Sequence, residues 1–218
     1  MKKTVSTIAI AAGFSLMGVA IAQAGDVTEN RDLSAFEKII IKDTGVSIDV
    51  EVGKDYAVTL EGAEKWTARI TTEVKGDALV IGRREQKKKS INFNSDNRIM
   101  ITMPKFTGLE VKGAVDAEIS GIDSDRVAFN ISGAGNMEVD GRCESLVVDL
   151  NGAGNFEGRG LKCKDVEVDI SGAGNAEVFA TDSVDLEISG FGNIDVYGAP
   201  KDVKKDSHMF SNITIHDK

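Results

Sequence analysis

Proline, cysteine, histidine and tryptophan are all scarce, and each scarcity removes a class of protein. Two prolines, with about one glycine in ten residues, exclude collagen-like and Pro-rich disordered chains, while 41% apolar residues suffice for a core. Two cysteines are too few to make a thiolate metal site. Two histidines, His208 and His216, stand eight residues apart near the C-terminus, and there is no nucleophile elbow, phosphate loop or His-Glu-x-x-His motif. Basic residues are outnumbered, 26 Lys+Arg against 35 Asp+Glu, so the clustered positive charge that nucleic acid requires is missing. Beyond the first segment no apolar run approaches the length of a membrane-spanning helix.

That first segment has a basic start (Met1 to Lys3), a mostly apolar stretch (Thr4 to Ile21) and a small-x-small site, Ala22-Gln23-Ala24. It reads as a secretory signal peptide over residues 1–24. Cleavage would remove two lysines and no acid, taking the formal charge from −9 to −11. No cysteine follows the site, which argues against a lipid anchor. Residues 25–218 are expected to form one exported domain, in the periplasm or on the surface of a Gram-negative-type cell.

Four copies of one motif organise the second half: Ile131-Ser-Gly-Ala-Gly-Asn136, Leu150-Asn-Gly-Ala-Gly-Asn155, Ile170-Ser-Gly-Ala-Gly-Asn175 and Ile188-Ser-Gly-Phe-Gly-Asn193. Their asparagines are spaced by 19, 20 and 18 residues, and Lys112-Gly-Ala-Val-Asp116 is a degenerate fifth copy. Strict alternation precedes each copy, as in Val127, Phe129, Ile131 and Val166, Val168, Ile170, which is the period of a strand with one buried face. Two short strands cannot bury that face alone, whereas stacking the copies in register can. The fold class is therefore all-β, a parallel β-solenoid with coils of 18–20 residues, regular over 109–202. Corner glycines are expected to supply unusual backbone geometry, Ala134, Ala153 and Ala173 to be small for the same reason, and the narrow interior to be filled by Val, Ile and Leu. Residues up to about 105 also read as strands, among them Val46 to Val52, Ala57 to Leu60, Ala68 to Val74, Leu79 to Ile81, Ile91 to Phe93 and Ile99 to Met103. They are expected to form irregular early coils, with a separate sandwich as the alternative.

The signal peptide, Phe36-Glu-Lys-Ile-Ile-Ile-Lys42 with Val46-Ser-Ile-Asp-Val-Glu-Val52, the Leu79-Val-Ile81 strand and the Ser-Gly-Ala-Gly-Asn corners together resemble the putative auto-transporter adhesin head GIN domain family. The resemblance covers nearly all of residues 33 to 216. It implies a right-handed parallel β-helix of the bacterial envelope and a role in adhesion, and it brings no catalytic residues. An autotransporter's outer-membrane β-barrel would not fit in 218 residues, so it bears on fold more than on mechanism.

Stacked coils turn each repeat position into a row with a spacing of about 4.8 Å. Asn136, Asn155, Asn175 and Asn193, preceded by Asp116, form a structural amide ladder. Two residues on, Glu138, Glu157, Glu177 and Asp195, preceded by Glu118, make an outward acidic row. Asn130, Asp149, Asp169 and Glu187 make another, preceded by Lys112. Stacked like charges cost up to several tenths of a kcal/mol, roughly, per exposed pair. A divalent cation or a basic partner would offset that cost, and oxygen ligands suit Ca²⁺. Weak Ca²⁺ binding is the most that is expected, and no cofactor is assigned; the second turn lacks the shared carboxylate of calcium-binding Gly-Gly-x-Gly-x-Asp repeats. The plainer alternative is a solvated face that maintains solubility.

Cys143 and Cys163 are 20 residues apart, one coil, and so within reach of a disulfide in an oxidising compartment. Arg83-Arg84-Glu85-Gln86-Lys87-Lys88-Lys89 is the only basic run, either a solvated loop or a contact for anionic envelope groups. The sequence thus points to a non-enzymatic binding or adhesion module whose partner is a glycan or an envelope protein, with the solenoid's ends or edges as candidate surfaces for a homodimer. The alternatives are a purely structural periplasmic protein and a carboxylate-based polysaccharide lyase or hydrolase using Asp149, Asp169, Glu157 and Glu177.

Overall fold

Val, Ile and Leu at every second position force one side of each strand inward, and the computed structural model shows them lining a single β-solenoid of about five turns. It describes residues 26–84, 97–208 and 210–216. The signal peptide, the strand expected at Ile91 to Phe93 and residues 85–89 of the basic run lie outside the described residues.

In chain order the elements are β1 (Asp26–Arg31), β2 (Lys38–Val52), β3 (Ala57–Ala63), α1 (Glu64–Thr67), β4 (Ile70–Lys75), β5 (Ala78–Arg83), β6 (Arg98–Met103), β7 (Gly108–Ile131), β8 (Ala134–Leu150), β9 (Ala153–Ile170), β10 (Ala173–Ile188), β11 (Phe191–Tyr197), β12 (Asp202–Ser207) and β13 (Ser211–Ile215). The longer strands bend around the solenoid, and β2, β7, β8, β9, β10, β11 and β13 pair in parallel in that order. Each coil therefore has a face that leads into the Gly-rich corner, ending at Ile131, Leu150, Ile170 or Ile188, and a face that trails it, beginning at the Asn. The backbone ladder continues through the corner itself, where the Asn151 amide donates to the Ile131 carbonyl and the Ala153 amide to the Gly133 carbonyl, both at 2.8 Å.

That continuity explains the glycines better than dihedral freedom does. A Cβ on Gly152 would overlap the carbonyl oxygen of Gly133 in the coil below, and one on Gly172 would overlap that of Gly152. Backbone rests on backbone, with no space for a side chain between. The corner alanines are a different case: Ala134, Ala153 and Ala173 are exposed, and their column continues into Phe191, 62% exposed, which stacks on Phe210 with centroids 5.6 Å apart. Their small size is not a packing requirement.

The interior also departs from the expected aliphatic filling. Phe106, Phe129 and Phe156 run through it, with centroids 5.9 and 5.0 Å apart. Phe156 fits because its neighbour in the next coil is Ala176. Ile48, Ala117, Met137, Phe156, Ala176, Ile194 and Ile213 form that inward row.

In the first half, Lys38–Val52 is a true coil, flanked by β5 and β6 on one side and β7 on the other. The remaining segments are not coils: β3 runs antiparallel to β6, β1 to β3, and β4 to β5. For β4 and β5 the reason is loop length, because they are joined only through Gly76 (φ +65°) and Asp77, too short for a parallel crossover. These strands and α1 cover the end of the core, burying Trp66, Ile70 and Leu60. At the other end β12 is exposed throughout, and Lys205 stands in register with the buried Leu186, an edge made unattractive for further pairing.

Cys143 and Cys163 are direct register partners joined by a disulfide, Cα to Cα 4.5 Å. A register shift between Glu138 and Asp140 absorbs the one-residue difference in their offsets from the preceding Asn.

Two stability outcomes follow from this architecture. Gly152→Ala is expected to cost about 3 kcal/mol or more by forcing two backbones apart, while Ala153→Ser changes stability by less than about 0.5 kcal/mol. Denaturant unfolding of the pair checks this, and equal tolerance of both would refute backbone-on-backbone packing. Reducing Cys143–Cys163, which closes a separation of 20 residues, should cost about 3 kcal/mol, read as a drop in melting temperature with reductant.

Candidate functional site

The corner fixes the starting point of each trailing strand, so residues at equal distance from it line up on the outer surface. Asn136, Asn155, Asn175 and Asn193 do so, and Nδ2 of Asn155, Asn175 and Asn193 donates to the Oδ1 of the Asn one coil earlier, at 3.1, 2.9 and 2.9 Å respectively. The ladder lies on the outside of the solenoid rather than in its interior, and Ser47, Asp116 and Asn212 extend its row.

Two residues farther along, Glu138, Glu157, Glu177 and Asp195 occupy one row with Glu118 and, one coil before it, Asp49. At one end of the row Asp49 pairs with Arg98 at 2.7 Å, and at the other Asp195 is in hydrogen-bond contact with His216 Nε2 at 2.8 Å. Glu118, Glu138, Glu157 and Glu177 have no cation within ion-pair distance among the described residues. At the start of the row, Arg98, Asp49, Asp116, Glu118 and Glu138 border an open depression of about 560 Å³.

Asp149 and Asp169 are neighbours in a second row, on the leading face. Asn130, Glu187 and Asp206 belong to it, and the residue before Asn130 is Glu110, not Lys112, because Ser132 donates to the Val111 carbonyl and so places Lys112 opposite Ser132. Lys112 and Lys38 instead hold the Glu110 carboxylate, at 2.8 and 3.3 Å, and keep its pKa below the usual range. Burial, followed by the neighbouring charge of Asp169, pushes Asp149 above the usual carboxylate range, against a hydrogen bond from Asn151. The four carboxylates considered for hydrolysis are thus divided: Asp149 and Asp169 on one face, Glu157 and Glu177 on the other. Among the described residues no group of three or more His, Cys, Asp or Glu side chains is arranged to hold a metal ion.

Four residues along from the Asn ladder, a cluster escaped the sequence reading. Phe179, Tyr197 and His216 are outward partners on successive coils, with Arg159 over the Tyr197 ring and Lys162 over the Phe179 ring. Its signal was present in the aromatics at one offset from Asn175 and Asn193.

Such a stack of corner-repeat coils agrees with the family described as putative auto-transporter adhesin, head GIN domain, which matches residues 35–200. The chain belongs to this family. Among solved structures, the GIN-domain chain is similar to a putative adhesin from Bacteroides fragilis, with 24% identity and a TM-score of 0.72 over 89% of this chain and 98% of that one. A putative adhesin from Parabacteroides merdae has 14% identity and a TM-score of 0.49 over 88% and 95% of the two chains. A putative lipid binding protein from Parabacteroides distasonis has 17% and 0.48 over 88% and 94%. At these identities the first likeness establishes fold alone. No curated protein matches.

The raised pKa of Asp149 makes its charge a liability in the folded GIN domain. A carboxyl group raised on folding favours the folded state when protonated, and that contribution is lost as pH rises through its folded-state pKa. Asp149→Asn should therefore stabilise the protein at pH 7 by about 0.5 kcal/mol, and the gain should shrink as pH falls toward about 4. Urea denaturation at the two pH values measures it; a pH-independent effect would contradict the assignment.

Proposed function

We propose that this chain is an exported, non-enzymatic adhesion module of the bacterial cell envelope, binding a glycan or an envelope protein through its outer rows. The observation that carries the reading is the outward row Glu118–Glu138–Glu157–Glu177, without a cation within ion-pair distance among the described residues and running beside a hydrogen-bonded Asn ladder. A surface repeating hydrogen-bonding groups at the strand spacing of about 4.8 Å suits a partner that is itself extended or repetitive. Family and fold both support a binding role at this coarser level. The Cys143–Cys163 disulfide supports an oxidising compartment, the periplasm or the cell surface. No cofactor enters this reading, and the carboxylate row would hold Ca²⁺ weakly at most, its middle members being unsupported by other ligand types.

Asp149 with Asp169 and Glu157 with Glu177 are neighbouring rungs of single rows, side by side on one surface rather than facing each other across a bond, which weighs against a hydrolase. The expected outcome is capture of a defined component on a glycan array or from intact envelopes, with no turnover of envelope polysaccharide. Empty results in both binding assays would count against adhesion and favour a purely structural role. Turnover that disappears in Asp169→Asn would move the protein to the enzymes.

A further inference from the structure

The 20 residues between Asn155 and Asn175 contain the widest register shift of the ladder. Val178 pairs with Gly158 but Phe179 pairs with Lys162, so Arg159, Gly160 and Leu161 bulge from β9. A bulge re-aims the side chains it carries. Leu161 turns into the core, fully buried, while Arg159 and Lys162 stay outside. The Arg159 guanidinium carbon lies 4.0 Å from the centroid of Tyr197, two coils on, and Lys162 Nζ lies 3.9 Å from that of Phe179. On its other side Tyr197 stacks on His216, with centroids 4.5 Å apart and planes 8° from parallel.

On a chain of formal charge −9, neighbouring cations are spent on carboxylates: Arg142 on Asp123, Lys164 on Glu144, Lys201 on Asp182 and Lys204 on Asp185. Arg159 and Lys162 have no carboxylate within ion-pair distance among the described residues: both rest on aromatic rings, and Lys162 Nζ also donates to the Arg159 carbonyl at 2.5 Å. A guanidinium on a ring is held in one orientation with its N–H fork unspent, ready for a planar or tetrahedral anion. The two cations also burden each other, since burial and then the charge of Arg159 lower the pKa of Lys162. An anion between them relieves both.

The surroundings narrow the anion further. Glu177 and Asp195 lie on the same outward side, two residues before Phe179 and Tyr197. These carboxylates repel a free inorganic anion but accept hydrogen bonds from hydroxyl groups. Cations for an acid group beside carboxylates for hydroxyls are together the requirements of an acidic sugar. We infer that Arg159 and Lys162, seated on Tyr197 and Phe179, form a binding site for a sugar carrying a carboxylate or phosphate group. The site rests on the adhesion reading for its biological setting, though not for its chemistry.

Calorimetric titration of the full chain with oligogalacturonate, its neutral methyl ester, glucose 1-phosphate and inorganic phosphate tests the site. Binding of oligogalacturonate or glucose 1-phosphate, and which of the two, assigns the acid group; the neutral ester and inorganic phosphate should bind at least about tenfold more weakly. Arg159→Ala should lose about tenfold or more in affinity with an unchanged melting curve, and Arg159→Lys should recover part of it. Equal binding of the neutral ester, binding of inorganic phosphate alone, indifference to Arg159→Ala or no binding by any probe would overturn the site. Envelope capture that survives in Arg159→Ala/Lys162→Ala would remove this site and leave adhesion standing. Acidic-sugar binding by a chain that captures nothing from envelopes would do the reverse.

Discussion

At each corner the carbonyl of one glycine faces the next coil's glycine with no room for a side chain between them, and the rest of the molecule takes its position from that contact. Because Gly133, Gly152 and Gly172 touch backbone to backbone, the coils can stack only in one register there. Everything counted outward from the corner then repeats: inward aliphatic and aromatic rows, the Asn ladder, the carboxylate rows. A Cβ at one corner would therefore disturb the alignment of a whole surface, not one contact. The disulfide sits at the opposite turn, where register is loosest and the coils differ in length.

Stacking identical coils also stacks identical charges, and the molecule deals with this unevenly. On the trailing face Arg98 pairs with Asp49 at one end of the acidic row and His216 contacts Asp195 at the other, while the middle has no such partner among the described residues. On the leading face Glu110 is held by two lysines, Asn130 is uncharged, and in the first close carboxylate pair burial and then the charge of Asp169 hold Asp149 above the usual carboxylate range. Exposure to water keeps the repulsion affordable, so the rows can be retained as surface.

Much of this was legible in the amino-acid pattern because two periods coincide in it. Period two announced strands, and the recurrence of Gly-Ala-Gly-Asn announced which residues would meet across coils, including the Asn ladder and Glu138, Glu157, Glu177 and Asp195. Where the corner degenerates the counting fails. Lys112 belongs to the corner row with Ser132, so the acidic row begins instead at Glu110; Asp49 and Asn212 join their rows without any Gly-Ala-Gly signal beside them. Antiparallel β3 and β4 were unreadable as such, since alternation is the same in a hairpin and in a coil and only loop length separates them. Arg159 stands at the same offset from Asn155 as Phe179 and Tyr197 from their asparagines; what stayed hidden was the bulge that begins there, which takes Arg159 out of register with β10 and lets it reach Tyr197 two coils on.

A perfectly periodic wall has a peculiar property: it looks the same from every step along its axis. A ligand that recognises one rung recognises all of them equally, and nothing tells it where to stop. Register shifts interrupt this translational symmetry, and the widest of them is the bulge of Arg159, Gly160 and Leu161. Its additional residues put the largest landmark on the lattice, so a long partner sliding along the rows would find there a defined place to come to rest.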